Sequence, residues 1–144
     1  MRCGFPIFAL LFLLLPLTAG ARTLTVEDLA ADPLRYDRKD VTVRGVVDFG
    51  PPHTYVLMHS KDTFRRNRED RMSKEEAERT CMRIGKRDAL FTNDLQRKRI
   101  HGRAVVVQGV FFADMFDGQE GINLGGCQVN KRIIDVYKLL WVGE

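Results

Sequence analysis

The sequence predicts a mainly β protein: a five-stranded Greek-key barrel with one inserted α-helix and a short N-terminal helix. Three observations support this prediction. A run of alternating valines that ends in glycine occurs twice, as VTVRGV from Val41 and as VVVQGV from Val105. Further short apolar segments are separated by glycine and proline breaks, which is typical of strands joined by turns. A capped helical segment lies between the two valine-rich segments.

Residues 1–21 are predicted to form a signal peptide. A short positive start precedes an apolar run from Phe5 to Leu17, and the small residues up to Ala21 are typical of a cleavage site. The apolar run is shorter than the roughly 20 residues needed to cross a membrane, and a retained signal anchor is the alternative. We therefore expect a periplasmic or secreted protein with no stable membrane insertion after cleavage, consisting of a single domain over 22–144.

The charge is mildly basic, with a formal net charge of +4 at pH 7. Acidic and basic residues alternate from Lys61 to Arg79, which is typical of a solvated surface. A more uniformly basic cluster spans Arg97 to Arg103. This distribution differs from the dense positive charge of a dedicated nucleic-acid-binding domain, so a nucleic-acid partner is not expected.

The cysteine count predicts one disulfide. Three cysteines are present, and Cys3 would leave with the signal peptide. The remaining pair, Cys81 and Cys127, is an even number in an exported chain, which favours a disulfide in an oxidising compartment. Two buried free thiols or half of a metal site are the alternatives, but no CxxC or HxxxH spacing supports a metal.

The first half of the predicted domain begins with a short helix. Thr25 is its N-cap, acidic residues fill its first turn, and Pro33 ends it. The first strand starts at Val41, and the second spans Thr54 to Ser60. In the second strand, Tyr55, Leu57 and His59 lie on one side, and Val56 and Met58 lie on the other.

A charged insert with its own helix is predicted over 61–87. Ser73 and Glu76 form a capping box, and Gly85 stands where a C-terminal cap is expected. Ala77, Cys81 and Ile84 would share the buried face of this helix. A short third strand over Asp88–Thr92 and a helical turn over Asn93–His101 follow.

The fourth and fifth strands complete the predicted barrel. The fourth is the longest of the predicted strands, and apolar residues occupy both of its faces. The segment from Ile133 to Trp141 matches either a helix, by the spacing of its apolar residues, or a strand, by its β-branched and aromatic content. We favour a strand because the barrel otherwise lacks its closing edge.

The repeated motif has two interpretations. An internal repeat requires further similarity in the flanking sequence, which is absent. Alternatively, the two copies are different strands of one barrel. Three strands, a short helix and two strands are the element order of the OB-fold, a five-stranded Greek-key barrel. The two copies would then be its neighbouring first and fourth strands, with Gly45 and Gly109 at bends or bulges.

The sequence also resembles small exported bacterial OB-fold proteins of unassigned function. The segment LTVEDLAADPLRYDRKDVTVRGVV resembles their opening, and GRAVVVQGVF and RIIDVYKL resemble their fourth and fifth strands. The chain departs from them at Arg38, where the turn usually has glycine, and in its charged insert. The resemblance implies the fold and almost no chemistry.

A non-catalytic binding or assembly module of unknown ligand is the predicted function. OB barrels bind ligands on the face of the second and third strands, where aromatic and basic residues could stack on nucleic acid or oligosaccharide. The alternative is that the aromatic residues fill the core and the arginines solvate a loop. The candidate ligand-binding residues are Tyr55, His59, Arg65, Arg66, Arg68 and Phe91.

Catalysis is not expected. The three histidines lack a spaced set of partners, and the sequence has no GxSxG, HExxH or glycine-rich phosphate loop. A small hydrolase is the least favoured alternative, and no cofactor or metal is expected. An envelope protein or polymer is the expected partner, and the insert offers one contact surface for it.

Overall fold

The computed structural model describes residues 22–50, 55–85, 94–116, 127 and 131–144. Within these ranges the chain forms six strands and five short helices. The strands are β1 (Thr23–Thr25), β2 (Lys39–Asp48), β3 (Val56–Met58), β4 (Cys81–Gly85), β5 (Ala104–Phe112) and β6 (Ile133–Val142). The helices are α1 (Val26–Ala31), α2 (Pro33–Tyr36), α3 (Lys61–Arg68), α4 (Lys74–Thr80) and α5 (Asp94–Ile100).

Five of the strands close into a barrel. β2 pairs antiparallel with β3 and β5, β3 pairs antiparallel with β4, β6 pairs antiparallel with β5, and β4 closes the ring by pairing in parallel with β6. Helix α5 stands between the third and fourth barrel strands, so the element order is that of the OB-fold. The predicted fold class is therefore confirmed. The short strand β1, which was not predicted, pairs in parallel with β2.

The two copies of the valine motif are neighbouring strands, as predicted. Val41 lies opposite Gly109, and Gly45 lies opposite Val105. A Cβ atom at Gly45 would lie 2.6 Å from the Met58 carbonyl oxygen, so glycine allows β3 to approach closely. Gly109 lies at a register irregularity between β5 and β6. The bulge predicted at Gly109 is therefore found beside it, with its extra residue on the partner strand β6, whereas the pairing of Gly45 with β5 is regular.

The barrel interior is filled by alternating strand residues. Val43, Leu57, Met82, Phe111 and Ile134 are among its fully buried side chains. Leu29 of α1 and Ile100 of α5 add apolar side chains from outside the barrel strands.

Helix α1 begins as the sequence predicted. The Thr25 hydroxyl accepts a hydrogen bond from the Asp28 backbone N–H (3.1 Å), and the Asp28 carboxylate accepts one from the Thr25 backbone N–H (2.8 Å). This capping box is local in sequence, which is why it could be recognised there.

The helix after Ser73 is shorter than predicted. It starts with Ser73 as N-cap but ends at Thr80, and Cys81–Gly85 forms the third barrel strand β4. Met82 and Ile84 point into the barrel core, so strand pairing with β3 and β6 outweighs continuation of the helix. The strand predicted at Asp88–Thr92 lies outside the described residues. The insert also contains a second helix, α3, capped by Ser60.

Cys81 and Cys127 form the predicted disulfide, with their Cα atoms 5.5 Å apart. The bond links β4 to the connection between β5 and β6. The segment from Ile133 to Trp141, which matched both helix and strand, lies within strand β6.

Candidate functional site

Tyr55 lies at one end of the barrel and packs partly against the core. Its ring meets Phe49 edge to face, with the centroids 5.7 Å apart. The Arg97 guanidinium carbon lies 5.6 Å from the centre of the Tyr55 ring, and the guanidinium donates a hydrogen bond to the hydroxyl. Tyr55 therefore ties β3 to helix α5, and both its ring and its hydroxyl have protein contacts.

His59 lies beyond β3, beside helix α1. Its backbone N–H donates to the Thr80 carbonyl (2.8 Å), which joins the ends of β3 and α4. Its Nε2 atom lies 3.7 Å from a Glu27 carboxylate oxygen, and the other Glu27 oxygen lies 3.5 Å from Arg79 Nε. These contacts hold α1 against α4.

The three candidate arginines lie on α3 and have separate partners. Arg65 pairs with Asp62 on the same helix (2.6 Å), and Arg66 pairs with Glu76 on α4 (2.6 Å). The guanidinium of Arg68 lies against Gly50, so closely that a Cβ atom there would overlap it. Phe91 lies outside the described residues. The five described candidates therefore have separate contacts: Tyr55 at the end of the barrel, His59 beside α1, and the three arginines along α3. No contact between them joins them into one site in the part of the chain that the structure describes.

The outer surface of β3 and β4, where OB barrels bind ligands, is largely covered by the chain itself. Val56, Met58 and Cys81 point outward here and are buried. They pack against Ala77 of α4, the disulfide partner Cys127, and the half-buried Phe64 and Met72 of the insert. The insert and the disulfide therefore occupy part of the surface on which the sequence placed a ligand.

A buried carboxylate that sequence reasoning missed lies at the end of β2. Asp48 is 1% exposed and accepts hydrogen bonds from the Gly50 backbone N–H (2.8 Å) and from Asn67 Nδ2 (3.3 Å). His101 Nδ1 lies 3.6 Å from the same carboxylate and accepts the Phe49 backbone N–H (3.0 Å). Because Nδ1 accepts a hydrogen bond, the neutral imidazole carries its proton on Nε2. The cluster joins β2 to α3 and to the end of α5.

Two arginines near the covered surface are partly removed from water. Burial lowers the pKa of Arg83, on the outer face of β4, and the pKa of Arg132, whose carbonyl accepts a hydrogen bond from the Arg83 backbone N–H (3.0 Å). Arg83 lies 6.0 Å from the centre of the Phe116 ring. Arg132 donates to the Ala30 carbonyl (3.3 Å), and the charge of Glu78 partly offsets the lowering of its pKa. These contacts attach α1 and α4 to the barrel.

The opposite side of the barrel carries exposed large side chains. Strands β2, β5 and β6 are neighbours there, and their outward residues form what we call the open face. Its members are Asp40, Thr42, Arg44, Val106, Gln108, Val110, Asp135, Tyr137, Lys138, Leu140 and Trp141. Tyr137, Leu140 and Trp141 are 42–48% exposed. Exposed apolar side chains that lie together on a soluble fold commonly mark an interaction surface.

Two irregularities in β6 produce this exposure. In the pairing with β5, Tyr137 and Leu140 are skipped, so each is the extra residue of a β-bulge. Val136 remains buried, and Leu139 and Val142 pack against the core. The bulges therefore add outward residues to the strand without removing its inward ones.

Tyr137 is fixed by Asp40 across the open face. Its hydroxyl donates a hydrogen bond of 2.9 Å to Asp40 Oδ1. This hydrogen bond raises the pKa of Tyr137 above its ordinary value, because loss of the proton would remove the bond and place two negative charges together.

Sequence reasoning recognised β6 as a strand but not its exposed residues. The only sequence feature that pointed to these exposed residues was that the final segment has more large apolar residues than a strand with one buried face needs.

Among the residues that the structure describes, no group of three or more His, Cys, Asp and Glu side chains is arranged to hold a metal ion. The described helices are too short or too polar to span a membrane.

No protein-family model matches the chain, and no curated protein matches it in sequence.

Proposed function

We propose that the chain is an exported, non-catalytic binding or assembly module that contacts its partner through the open face. The observation that carries the proposal is the exposure of Tyr137, Leu140 and Trp141 on a bulged strand of a closed barrel. Tryptophan, tyrosine and arginine are the residue types that most often contribute strongly to protein interfaces. Arg44 of β2 and Trp141 of β6 both pair with Val106 of β5, one on each side of it.

The rigidity of the barrel supports this assignment. β5 is paired along both edges, to β2 and to β6, so the open face loses little backbone freedom on binding. The face is also the outer surface of the barrel, which suits a macromolecular partner, whereas small molecules bind in concave sites.

Export rests on the N-terminal sequence and is supported by the disulfide. Residues 1–21 have the pattern of a signal peptide. The bond between Cys81 and Cys127 is compatible with an oxidising compartment.

The contact surface is tested by comparing matched variants. The purified, oxidised protein is immobilised, and envelope extract of the source organism is passed over it. Trp141→Ser removes the largest exposed side chain of the open face, and Leu34→Ser removes an apolar side chain that is 80% exposed on α2. We expect a stoichiometric partner to be retained by the wild type and by Leu34→Ser but lost by Trp141→Ser. Equal retention by all three proteins would contradict the proposal.

Export is tested separately by fractionation. The full chain with a C-terminal tag is expressed, and the mass and N-terminus of the product are determined in each fraction. We expect a product that begins near Arg22 in the periplasm or medium, with no free thiol. A full-length product in the cytoplasm would rule out export while leaving the contact surface open to its own test.

A further inference from the structure

The charges of the open face are ordered along the strands. Three rows cross β2, β5 and β6: Asp40–Val110–Asp135, Thr42–Gln108–Lys138 and Arg44–Val106–Trp141. β2 and β6 run in the same direction, because both are antiparallel to β5. The acidic row and the row with Arg44 are therefore about 13 Å apart, since each strand residue advances by ~3.3 Å.

Three of these charges are poorly neutralised within the chain. Arg44 and Lys138 form no ion pair with any residue that the structure describes. The Asp40 carboxylate receives the Tyr137 hydroxyl, which is a neutral donor. A partner that matches the face therefore places an acidic group near Arg44 and a basic group near Asp40.

This pattern disfavours a uniformly anionic partner. A nucleic acid, an acidic polysaccharide or an anionic membrane would be attracted to Arg44 and Lys138 but repelled by Asp40 and Asp135. A protein surface can carry both signs together with an apolar centre. The question is then which protein surface has the opposite order of charges.

We propose that the partner is a second copy of this chain, bound open face to open face about a two-fold axis. This inference rests on the proposed function, because it identifies the partner of the same surface. An axis in the plane of the face, along the middle row, reverses the strand direction of the second copy. Arg44 of each copy then lies opposite Asp40 of the other, as an isologous interface requires.

The same operation pairs the apolar residues. Trp141 of each copy lies opposite the acidic row of the other, beside Tyr137, whose hydroxyl reaches Asp40 in that row, so two aromatic contacts form symmetrically. Thr42 and Gln108 lie close to the axis and can hydrogen-bond to their own counterparts. Lys138 also lies in the middle row, but its long flexible stem lets the two ammonium groups extend away from each other.

The dimer is expected to be weak. Three strands and three rows cover less than the ~800 Å² per partner of a standard stable interface. We therefore expect a Kd on the order of 10–100 μM. Because its ion pairs lie near solvent, dissociation should increase with salt.

Sedimentation velocity of the purified, oxidised protein, at concentrations that bracket this range, tests the proposal. Arg44→Glu and Asp40→Arg should each weaken the dimer at least tenfold, because each homodimer then places like charges opposite each other. An equimolar mixture of the two variants should recover the dimer. In the mixed dimer, the introduced carboxylate of one variant faces the introduced guanidinium of the other at one end, and the native pair remains at the other end. A merely structural effect of either substitution would not be repaired by mixing.

Two controls separate the interface from other effects of the substitutions. Lys74→Glu reverses a charge on α4, on the other side of the barrel, and should leave the dimer intact. Tyr137→Phe removes the hydrogen bond to Asp40 while retaining the ring, and should also dimerise. Circular dichroism and thermal unfolding of each variant establish that it is folded.

Several outcomes would overturn the proposal. These are a monomeric wild type throughout the range, a mixture that stays monomeric, or an Arg44→Glu variant that dimerises like the wild type. Binding of a single-stranded oligonucleotide or anionic vesicles that depends on Arg44, without a dimer, would assign the face to an anionic polymer or membrane instead. A monomeric wild type that captures an envelope component through Trp141 would overturn self-association while supporting the proposed function.

Discussion

Arg38 adopts a left-handed backbone conformation, with φ of 57°. It lies in the turn between α2 and β2, and its backbone N–H donates to the Phe111 carbonyl (2.7 Å). A side chain with a Cβ atom pays a steric cost in this conformation that glycine does not. The departure from glycine noted in the sequence therefore falls where the backbone favours glycine.

Replacing this residue with glycine should stabilise the protein. We expect Arg38→Gly to raise the free energy of unfolding by about 0.5–1 kcal/mol, after loss of the exposed contacts of Arg38 with Asp37 and Phe112. Urea denaturation monitored by circular dichroism measures the change. Arg38→Ala loses the same contacts without relieving the backbone, so it should not be stabilising. A destabilised glycine variant would show that the side-chain contacts outweigh the backbone conformation.

Gly45 and Gly109 show how one sequence motif serves two physical purposes. At Gly45, the β2 edge changes partner from β1 to β3, and the glycine makes room for the backbone of Met58. At Gly109, a Cβ atom would lie 2.5 Å from the Asp135 carbonyl oxygen, beside the irregular pairing with β6. The sequence identified both positions, but the reason at each depends on a neighbouring strand.

The two bulges of strand β6 explain why its sequence matched both a helix and a strand. Its inward residues after Val136 are Leu139 and Val142, three apart instead of two, because each interval contains a bulge. A spacing of three is close to the helical period of 3.6. The residues that matched a helix, Ile133, Val136, Tyr137 and Leu140, include the extra residues of both bulges. Only the pairing with β5 shows that the segment is a strand.

The junction of α4 and β4 could not be located from local sequence. Cys81 falls on the apolar face of a helix that starts at Ser73, and Gly85 stands at a suitable distance for its cap. The helix nevertheless ends at Thr80, because the next residues fill the gap between β3 and β6. Capping and periodicity are local signals, whereas closure of the barrel is a contact between distant segments.

Helix α1 contributes to the free energy of unfolding through Asp28, and this contribution decreases at acid pH. Hydrogen bonds from the Thr25 backbone and hydroxyl hold the pKa of Asp28 below its ordinary value of 3.8. A carboxylate whose pKa is lowered by folding stabilises the folded state fully above the unfolded pKa. This contribution is lost as the pH falls through the lowered pKa.

We expect Asp28→Ala to lower the free energy of unfolding by about 0.5–1 kcal/mol at pH 7, the usual range for a helix cap. The difference from the wild type should shrink as the pH falls below about 4. Denaturant titrations across this pH range measure both effects. Asp32→Ala is the control, since the Asp32 side chain makes no cap hydrogen bond. A difference that stays constant with pH would rule out the carboxylate as its cause.

At the scale of the whole molecule, the insert covers one side of the barrel and leaves the opposite side exposed. The helices and the disulfide bury Val56 and Met58 on one side, while β6 exposes Trp141 on the other. The order of elements predicted the barrel and the cysteine count predicted the disulfide. The open face could not be predicted, because its members are brought together only by the register of three strands.

The disulfide should contribute substantially to stability. Its cysteines are 46 residues apart, and closing a loop of this length corresponds to about 3–4 kcal/mol. We expect the double variant Cys81→Ala/Cys127→Ala to lose about this much in urea denaturation at neutral pH. Cys81→Ala by itself should lose a similar amount, since either substitution removes the cross-link. A double variant as stable as the wild type would show that packing of the insert suffices without the bond.

The parallel pairing of β4 with β6 also has a consequence for the rate of folding. It joins segments about 50 residues apart, as in Arg83 with Ile133, so a long loop must close before the barrel is complete. Pairing of distant segments slows folding. Cys127 lies six residues before Ile133, so the oxidised chain already holds these two strands near each other when it begins to fold. Oxidation before barrel closure should therefore speed folding, and the order of these two events in the cell becomes a determinant of yield.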